Sequence, residues 1–318
     1  MSLKLKTFPA LQRRSTTNGD FLELVYVICY KQVMDYRFSE DLRTIREILG
    51  MTQSELAKEL GVQQVTLSRS ESETTKPSDT LLEKVYGFAY ERNIMLNRLK
   101  SMYWKDIISN SNRLLFHGAK SSIEGDINVR YNRTNNDFGQ GFYTGENYSQ
   151  AISFISGFDT SSIYLLDFNP TALFFKEFDL SQEWMLTIAF FRGTLSSYEN
   201  HPLVRKLVSD VDGNDYIIAP IADNRMYQII NSFIEGEITD QQCMHCLAST
   251  NLGKQFVFKS EKAVKQLRIL ERLYVSSEER EYYKSVRLEE SKASVEKVKN
   301  ARIQYRGKGR YIDEILKD

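Results

Sequence analysis

The sequence predicts an α+β chain: an all-α unit first, then a sheet-bearing domain, then a charged helical extension. Three observations carry this. Between Phe38 and Arg92 apolar residues recur at helical spacing, with turn signals between the runs. From Leu114 short strand-like runs replace them, among them Ile163-Tyr-Leu-Leu-Asp167, Tyr216-Ile-Ile-Ala219 and Gln255-Phe-Val-Phe258, punctuated by Gly, Asn and Asp. From Ser276 the chain is charged and helix-forming. The expected segments are an N-terminal extension (1–37), a helical domain (38–95), a helical connector (96–112), an α+β domain (113–275) and a C-terminal extension (276–318).

A length of 318 residues holds roughly two domains. Lys plus Arg equals Asp plus Glu, 42 each, so no whole-chain charge draws the protein to nucleic acid or membrane. The apolar run Phe21 to Tyr30 is broken by Glu23, is too short for a bilayer span, and has no small-residue cleavage site after it. Phe21 to Val33 reads as a short strand or helix. Cys29, Cys243 and Cys246 are too few for a disulfide framework and fit a reducing compartment. A cytoplasmic protein without membrane contact is expected.

The first helix buries Leu42, Ile45 and Leu49. Thr52-Gln-Ser-Glu55 is a capping box: the threonine hydroxyl accepts from a free helix N–H, and Glu55 reaches back. The helix it starts buries Leu56, Ala57 and Leu60, and Gly61-Val62 makes a tight turn. A further helix runs from Gln63 to Glu71 with Val62 and Leu67 inward. Pro77 suits the first turn of a fourth, which buries Leu81, Leu82 and Val85.

Thr52-Gln-Ser-Glu-Leu-Ala-Lys-Glu-Leu-Gly-Val62, with Leu67-Ser-Arg69, resembles the phage-repressor (Xre-like) class of helix-turn-helix domain. The resemblance implies that the helix after Gly61 enters the DNA major groove. Gln63 and Gln64 then face base edges, since a glutamine amide pairs with adenine. Gln53, Thr66 and Arg69 touch phosphates or bases. Ser70 stands where such domains often carry tryptophan, and Arg69 faces Glu71 and Glu73, so the helix is not strongly basic. A helical bundle making protein contacts is the alternative reading. A homodimer is also implied, because repressor-type domains pair across a two-fold axis.

Leu114-Leu-Phe-His-Gly-Ala119, Asp137-Phe-Gly-Gln-Gly-Phe-Tyr143 and the helix-like Ser149 to Ile155 occur in an order similar to the start of the ADP-ribosyltransferase fold, in the branch of diphtheria toxin and the poly(ADP-ribose) polymerases. The stretch from Leu114 to about Leu270 also resembles an uncharacterised bacterial family related to these transferases. That likeness rests on Phe138 to Tyr143, Ala222-Asp-Asn-Arg-Met-Tyr227 and Gln255 to Phe258. It implies a split-sheet transferase domain that consumes NAD and adds one ADP-ribose to a protein or nucleic-acid acceptor.

The resemblance assigns roles by position. His117 bonds the adenosine ribose, and Gly118 offers backbone groups to the nicotinamide carboxamide. Tyr143 and Phe154 sandwich the ring, while Gly139 and Gly141 turn the loop beneath it. Ala151 replaces a serine that bonds the carboxamide in some relatives. Gln255 stands where the family has its catalytic glutamate. An amide hydrogen-bonds a ribose hydroxyl but cannot accept a proton or offset positive charge at neutral pH. Glu261 is a backup carboxylate. Arg133, Asp137, Asp223 and Arg225 are candidates to line the cleft, an arginine pairing with the pyrophosphate through its planar fork. For Asp223 and Arg225 a structural salt bridge is the alternative. Catalysis thus falls to Gln255, Tyr143 and His117.

Cys243-Met-His-Cys246 looks like half a metal site, but no second ligand pair completes it, so no metal is expected. Lys297 to Arg310 is basic, with Tyr305 interleaved, and reads as a solvated tail or a contact for nucleic acid or an acidic partner. Trp184, Phe190 and Phe191 belong to the core. Two function classes remain. One is a DNA-tethered mono-ADP-ribosyltransferase of the kind found in toxin–antitoxin or phage-defence systems, with a possible inhibitory partner protein. The other is a transcriptional regulator whose transferase-like domain senses NAD or ADP-ribose without catalysis. A transferase whose acceptor is a nucleic-acid base or terminal phosphate is a variant of the first.

Overall fold

A computed structural model describes residues 35–130, 133–249 and 253–317. The run from Phe21 to Val33, with Cys29, lies outside them. The first four helices are α1 (Phe38–Leu49), α2 (Gln53–Leu60), α3 (Gln64–Glu71) and α4 (Asp79–Glu91). The capping box forms as its sequence demands, with the Glu55 N–H donating to Thr52 Oγ1 at 3.2 Å and the Thr52 N–H donating to Glu55 Oε2 at 2.8 Å. Gly61 closes α2 at φ +60°, a left-handed turn that a Cβ would strain. Gln63 is the cap of α3 rather than its first residue, and Ser78 caps α4, so Pro77 precedes the cap instead of lying in the first turn. Leu42, Ile45, Leu56, Leu67, Leu82 and Val85 make one core.

The connector is helix α5 (Leu96–Ile107), shorter than the expected 96–112. Its termination frees Asn112 to donate to Asp167 at 2.8 Å, just before the sheet begins. The sheet has seven strands: β1 (Arg113–Ala119), β2 (Phe142–Gly145), β3 (Ser162–Phe168), β4 (Phe175–Glu177), β5 (Tyr216–Pro220), β6 (Lys254–Phe258) and β7 (Leu267–Tyr274). Their spatial order is β4-β5-β6-β2-β1-β3-β7, antiparallel except for β4 beside β5. The strands form one continuous sheet instead of the expected split one, although the β1–β2 pairing is short. β1 pairs with β3 along its whole length, but with β2 only at Phe116 opposite Gly145.

One sheet face is covered by α6 (Tyr148–Ile155) over β1 and β3, and by α7 (Gln182–Phe191), α8 (Pro202–Asp212), α9 (Asn224–Ile234) and α10 (Asp240–Ala248) over the other half. Trp184 is fully buried there, and Phe190 and Phe191 pack against it. The opposite face carries an aromatic cluster of Phe142, Tyr164, Phe168, Tyr216, Phe256 and Phe258, flanked by the short α11 (Glu261–Val264).

The last elements are α12 (Ser277–Gln304) and α13 (Ile312–Ile315). The basic stretch is no free tail. Thr239 Oγ1 donates to the Lys308 carbonyl, the Asp240 N–H donates to the Arg310 carbonyl at 2.9 Å, and Ile312, Ile315 and Leu316 are buried against α10. Cys243 and Cys246 point into that core, and His245 stacks on Tyr305. Among the described residues no cluster of His, Cys, Asp or Glu is placed to hold a metal, and no helix is long and apolar enough to cross a membrane.

The helical unit is docked on the sheet edge, not tethered by a loose linker. Tyr36, at the end of the expected extension, bridges to Arg272 of β7. The Lys100 amine sits 2.5 Å from both Asp41 of α1 and Glu271 of β7. Tyr86 of α4 stacks on Tyr274, and Glu83 accepts from the Ser277 N–H at 2.5 Å.

Candidate functional site

On the helical unit, the exposed face of α2 and α3 carries the expected residues. Gln64 donates through Nε2 to Gln53 Oε1 at 2.8 Å, and Gln53 in turn donates to Glu71 at 2.8 Å. Glu71 is anchored by Arg46 Nε at 2.5 Å. Burial opposes the charge on Glu71, but the bonds from Arg46 and Gln53 outweigh it and hold the carboxyl below its ordinary range. Two amides are thus pre-aligned from a buried ion pair outward. Gln63, Thr66 and Arg69 are exposed, and no side-chain bond to another described residue engages them. That leaves their donors and acceptors for a ligand.

In the sheet domain His117, Tyr143 and Gln255 stand on the successive strands β1, β2 and β6. His117 Nδ1 lies 2.7 Å from the Tyr143 carbonyl. A carbonyl only accepts, so Nδ1 carries the proton and Nε2 presents a lone pair. Nε2 has no partner among the described residues. The ring stacks on Phe142 at 4.4 Å and keeps a partly exposed edge. Burial holds the imidazole below the usual histidine range, with the Tyr143 carbonyl pulling the other way.

Strand alternation places Tyr143 and Gln255 on the helix-covered face and His117 toward the aromatic face. The three side chains therefore do not converge on one cleft: His117 meets only the backbone carbonyl of Tyr143, and its ring lies across the sheet from Gln255. Tyr143 does not offer its hydroxyl outward: Oη donates to the Gly139 carbonyl at 2.7 Å and accepts from the Phe138 N–H at 3.1 Å. Burial and the nearby Asp137 charge push its pKa well up.

Gln255, opposite Gly145, is buried. Its Nε2 donates to Asp137 Oδ2 at 2.9 Å and to the Pro220 carbonyl at 3.1 Å. Asp137 Oδ1 accepts from Arg192 Nε at 2.8 Å and Nη2 at 2.5 Å. Arg192 also donates to the Ala222 carbonyl at 2.8 Å and lies over Tyr227, 4.5 Å from the ring centre. Asp137 is therefore engaged within the protein, not free to line the cleft.

The loop from 137 to 141 is clamped from beneath. Lys259 Nζ donates to the carbonyls of Phe138 at 2.6 Å and Gln140 at 2.9 Å, and burial lowers its pKa. Gly139 has φ +72°, and a Cβ there would lie 2.9 Å from Phe191. A Cβ on Gly141 would strike the Phe258 carbonyl at 2.8 Å. At Gly118 the close approach is to helix α6: a Cβ would lie 2.7 Å from the Ala151 carbonyl and 2.8 Å from Ile155 Cγ2. Packing thus requires these three glycines before any ligand is considered.

Other expected residues fall elsewhere. Phe154 lies on α6, one turn beyond Ala151, with 62% of its surface exposed. Arg133 is exposed. Arg225 is engaged by α12, where its guanidinium donates to the Ser291 carbonyl at 2.5 Å and to Ser294 Oγ. Asp223 makes no salt bridge with it. Its carboxylate instead caps α9, accepting the N–H groups of Arg225 at 3.0 Å and Met226 at 2.9 Å. Glu261 is an exposed residue opening α11 and takes no part in the Gln255 network. A cavity of about 470 Å³ between α5, the start of β1 and the start of α6 is lined by Lys105, Arg113, Glu146, Asn147 and Phe256. None of the expected NAD residues borders it. Arg192 and Lys259 escaped sequence reasoning, since an arginine ending an apolar helix and a lysine ending a strand look like ordinary surface cations.

Residues 42–85 match the family described as helix-turn-helix, and the N-terminal unit is a DNA-binding helix-turn-helix. Residues 114–269 match a family described as a protein of unknown function, DUF3990. No curated protein and no solved structure matches the chain.

Proposed function

We propose that the sheet domain is an NAD-dependent mono-ADP-ribosyltransferase carried on a DNA-binding helix-turn-helix. The observation that carries this reading is the His117–Tyr143 contact. It fixes the imidazole tautomer and leaves Nε2 as an acceptor without a partner among the described residues, two strands from Gln255. NAD has two ribose diols, and hydroxyls are the donors such an acceptor takes.

In the reaction the bond between ribose C1′ and nicotinamide breaks, and nicotinamide leaves with the electron pair. The acceptor nucleophile bonds to C1′ and gives up its proton to water. The transition state is oxocarbenium-like. Gln255 supplies a dipole there instead of a full charge, which favours a single transfer to a good nucleophile, on protein or nucleic acid, over chain elongation.

The test is incubation with labelled NAD and cell lysate, beside His117→Ala and a His117→Ala, Tyr143→Ala double variant whose folding is checked by circular dichroism. Label on protein or nucleic acid with the unmodified chain alone supports the transferase. NAD binding without label or nicotinamide release supports a second reading, a regulator that senses NAD. The engagement of Asp137 and the Tyr143 hydroxyl inside the protein favours that second reading.

A further inference from the structure

The amide of Gln255 is held in one orientation. Both groups facing its Nε2, the Asp137 carboxylate and the Pro220 carbonyl, are acceptors without a proton to give. An amide turned the other way would set oxygen against both. The nitrogen end is therefore committed, and Oε1 is the end left over. Oε1 has no donor among the described residues and is not sealed from solvent. The carboxylate that imposes this choice is itself fixed. Arg192 grips Asp137 through two nitrogens, and Tyr227 and the Ala222 carbonyl hold Arg192.

We infer that Asp137, braced by Arg192, is a positioning residue that locks the Gln255 amide with its carbonyl oxygen toward substrate, so that glutamine performs the hydrogen-bond-accepting half of a carboxylate's work. The inference rests on the transferase reading for its functional part. It also accounts for why the carboxylate is absent at 255. A glutamate there would face Asp137 and the Pro220 carbonyl, three acceptors with no proton between them. Gln255 and Asp137 thus form a matched pair, with the carboxylate moved one side chain back.

The test is a double-mutant cycle on the full chain with two readouts. Gln255→Glu is expected to lower the unfolding midpoint by about 5 °C at pH 8. Asp137→Asn lowers it as well, since Arg192 loses its charged partner. The combined variant, in which an asparagine amide can donate to the new glutamate, recovers at least half of the summed loss. For nicotinamide release, Asp137→Asn lowers kcat at least tenfold with KM for NAD within about twofold, because the oxygen is no longer held where the transition state needs it. Arg192→Lys keeps the cation but loses the fork, and gives a smaller drop of the same kind. Additive midpoints across the cycle, or an undiminished midpoint for Gln255→Glu, overturn the locked amide. Non-additive midpoints with no nicotinamide release by the unmodified chain uphold the lock and refute the transferase instead. Equal kcat in all folded variants refutes the positioning role alone.

Discussion

The hydroxyl of Tyr148 donates to the carboxyl of Glu279 across 2.8 Å, tying the first turn of α6 to the first turn of α12. Asn97 of α5 donates to the other oxygen at 2.9 Å. One buried carboxyl therefore joins the connector, the sheet-covering helix and the C-terminal helix.

Burial raises the Glu279 pKa from the ordinary 4.5 to about 7, its two hydrogen bonds opposing the shift only in part. Below pH 4.5 both folded and unfolded chains carry the proton, and the group is neutral to stability. Between there and pH 7 the unfolded chain releases it first, so stability falls as pH rises, by about 3 kcal/mol in all. Urea unfolding of the native chain and of Glu279→Gln at pH 5 and pH 8 checks this. The native chain should lose about 3 kcal/mol relative to the variant. Parallel curves would remove Glu279 as the cause.

Lys100 is the cation between two buried carboxylates, Asp41 and Glu271, and Trp104 Nε1 also donates to Glu271, at 2.8 Å. Burial raises the Asp41 pKa despite Lys100; at Lys100 burial works the other way, but the two carboxylates outweigh it and keep the amine charged. Lys100→Met strands both acids and should cost about 3–5 kcal/mol by chemical unfolding. The neutral set Asp41→Asn, Lys100→Met, Glu271→Gln should recover most of that loss. If it does not, shape and not charge holds the helical unit to the sheet.

On DNA, the Gln53–Gln64 bond predicts non-additive recognition. Gln53→Ala and Gln64→Ala should each weaken specific binding by about 1–3 kcal/mol, read by mobility shift at fixed salt. Together they should cost less than the sum, since each removal already unseats the other. Strict additivity would mean the two amides act separately on DNA.

Gly118→Ala places a methyl 2.7 Å from the Ala151 carbonyl, a backbone atom that moves only with its helix. A loss of about 1–3 kcal/mol in thermal unfolding is expected. Gly157, where an added methyl would have nothing within 4 Å, is the control, and Gly157→Ala should leave stability close to unchanged. Equal effects at the two sites would show that α6 is not seated against β1 as described.

Local signals in the chain were sufficient for the helix-turn-helix. Its capping box, glycine turn and apolar spacing act within a few residues, and the observed helix ends depart from expectation by one residue or two at Gln63 and Pro77. The strands at 163–167, 216–219 and 255–258 were legible for the same reason, their apolar content being concentrated in short runs. That Gln255 on β6 stands next to β2 and two strands from His117 is written in no local signal, since strand order is decided by crossovers.

The amino-acid sequence by itself determined where helices and strands form, which faces they bury, and that 255 carries an amide. Those properties follow from neighbours along the chain. Tertiary structure alone decided what each polar group meets. It put Arg225 on α12 instead of the cleft, made Asp223 a cap, folded the basic C-terminal stretch against α10, and set Arg192 and Asp137 behind Gln255. Hydrogen bonds and ion pairs act over a few ångströms, and partners 55 or 118 residues apart leave no periodic trace in the sequence that joins them.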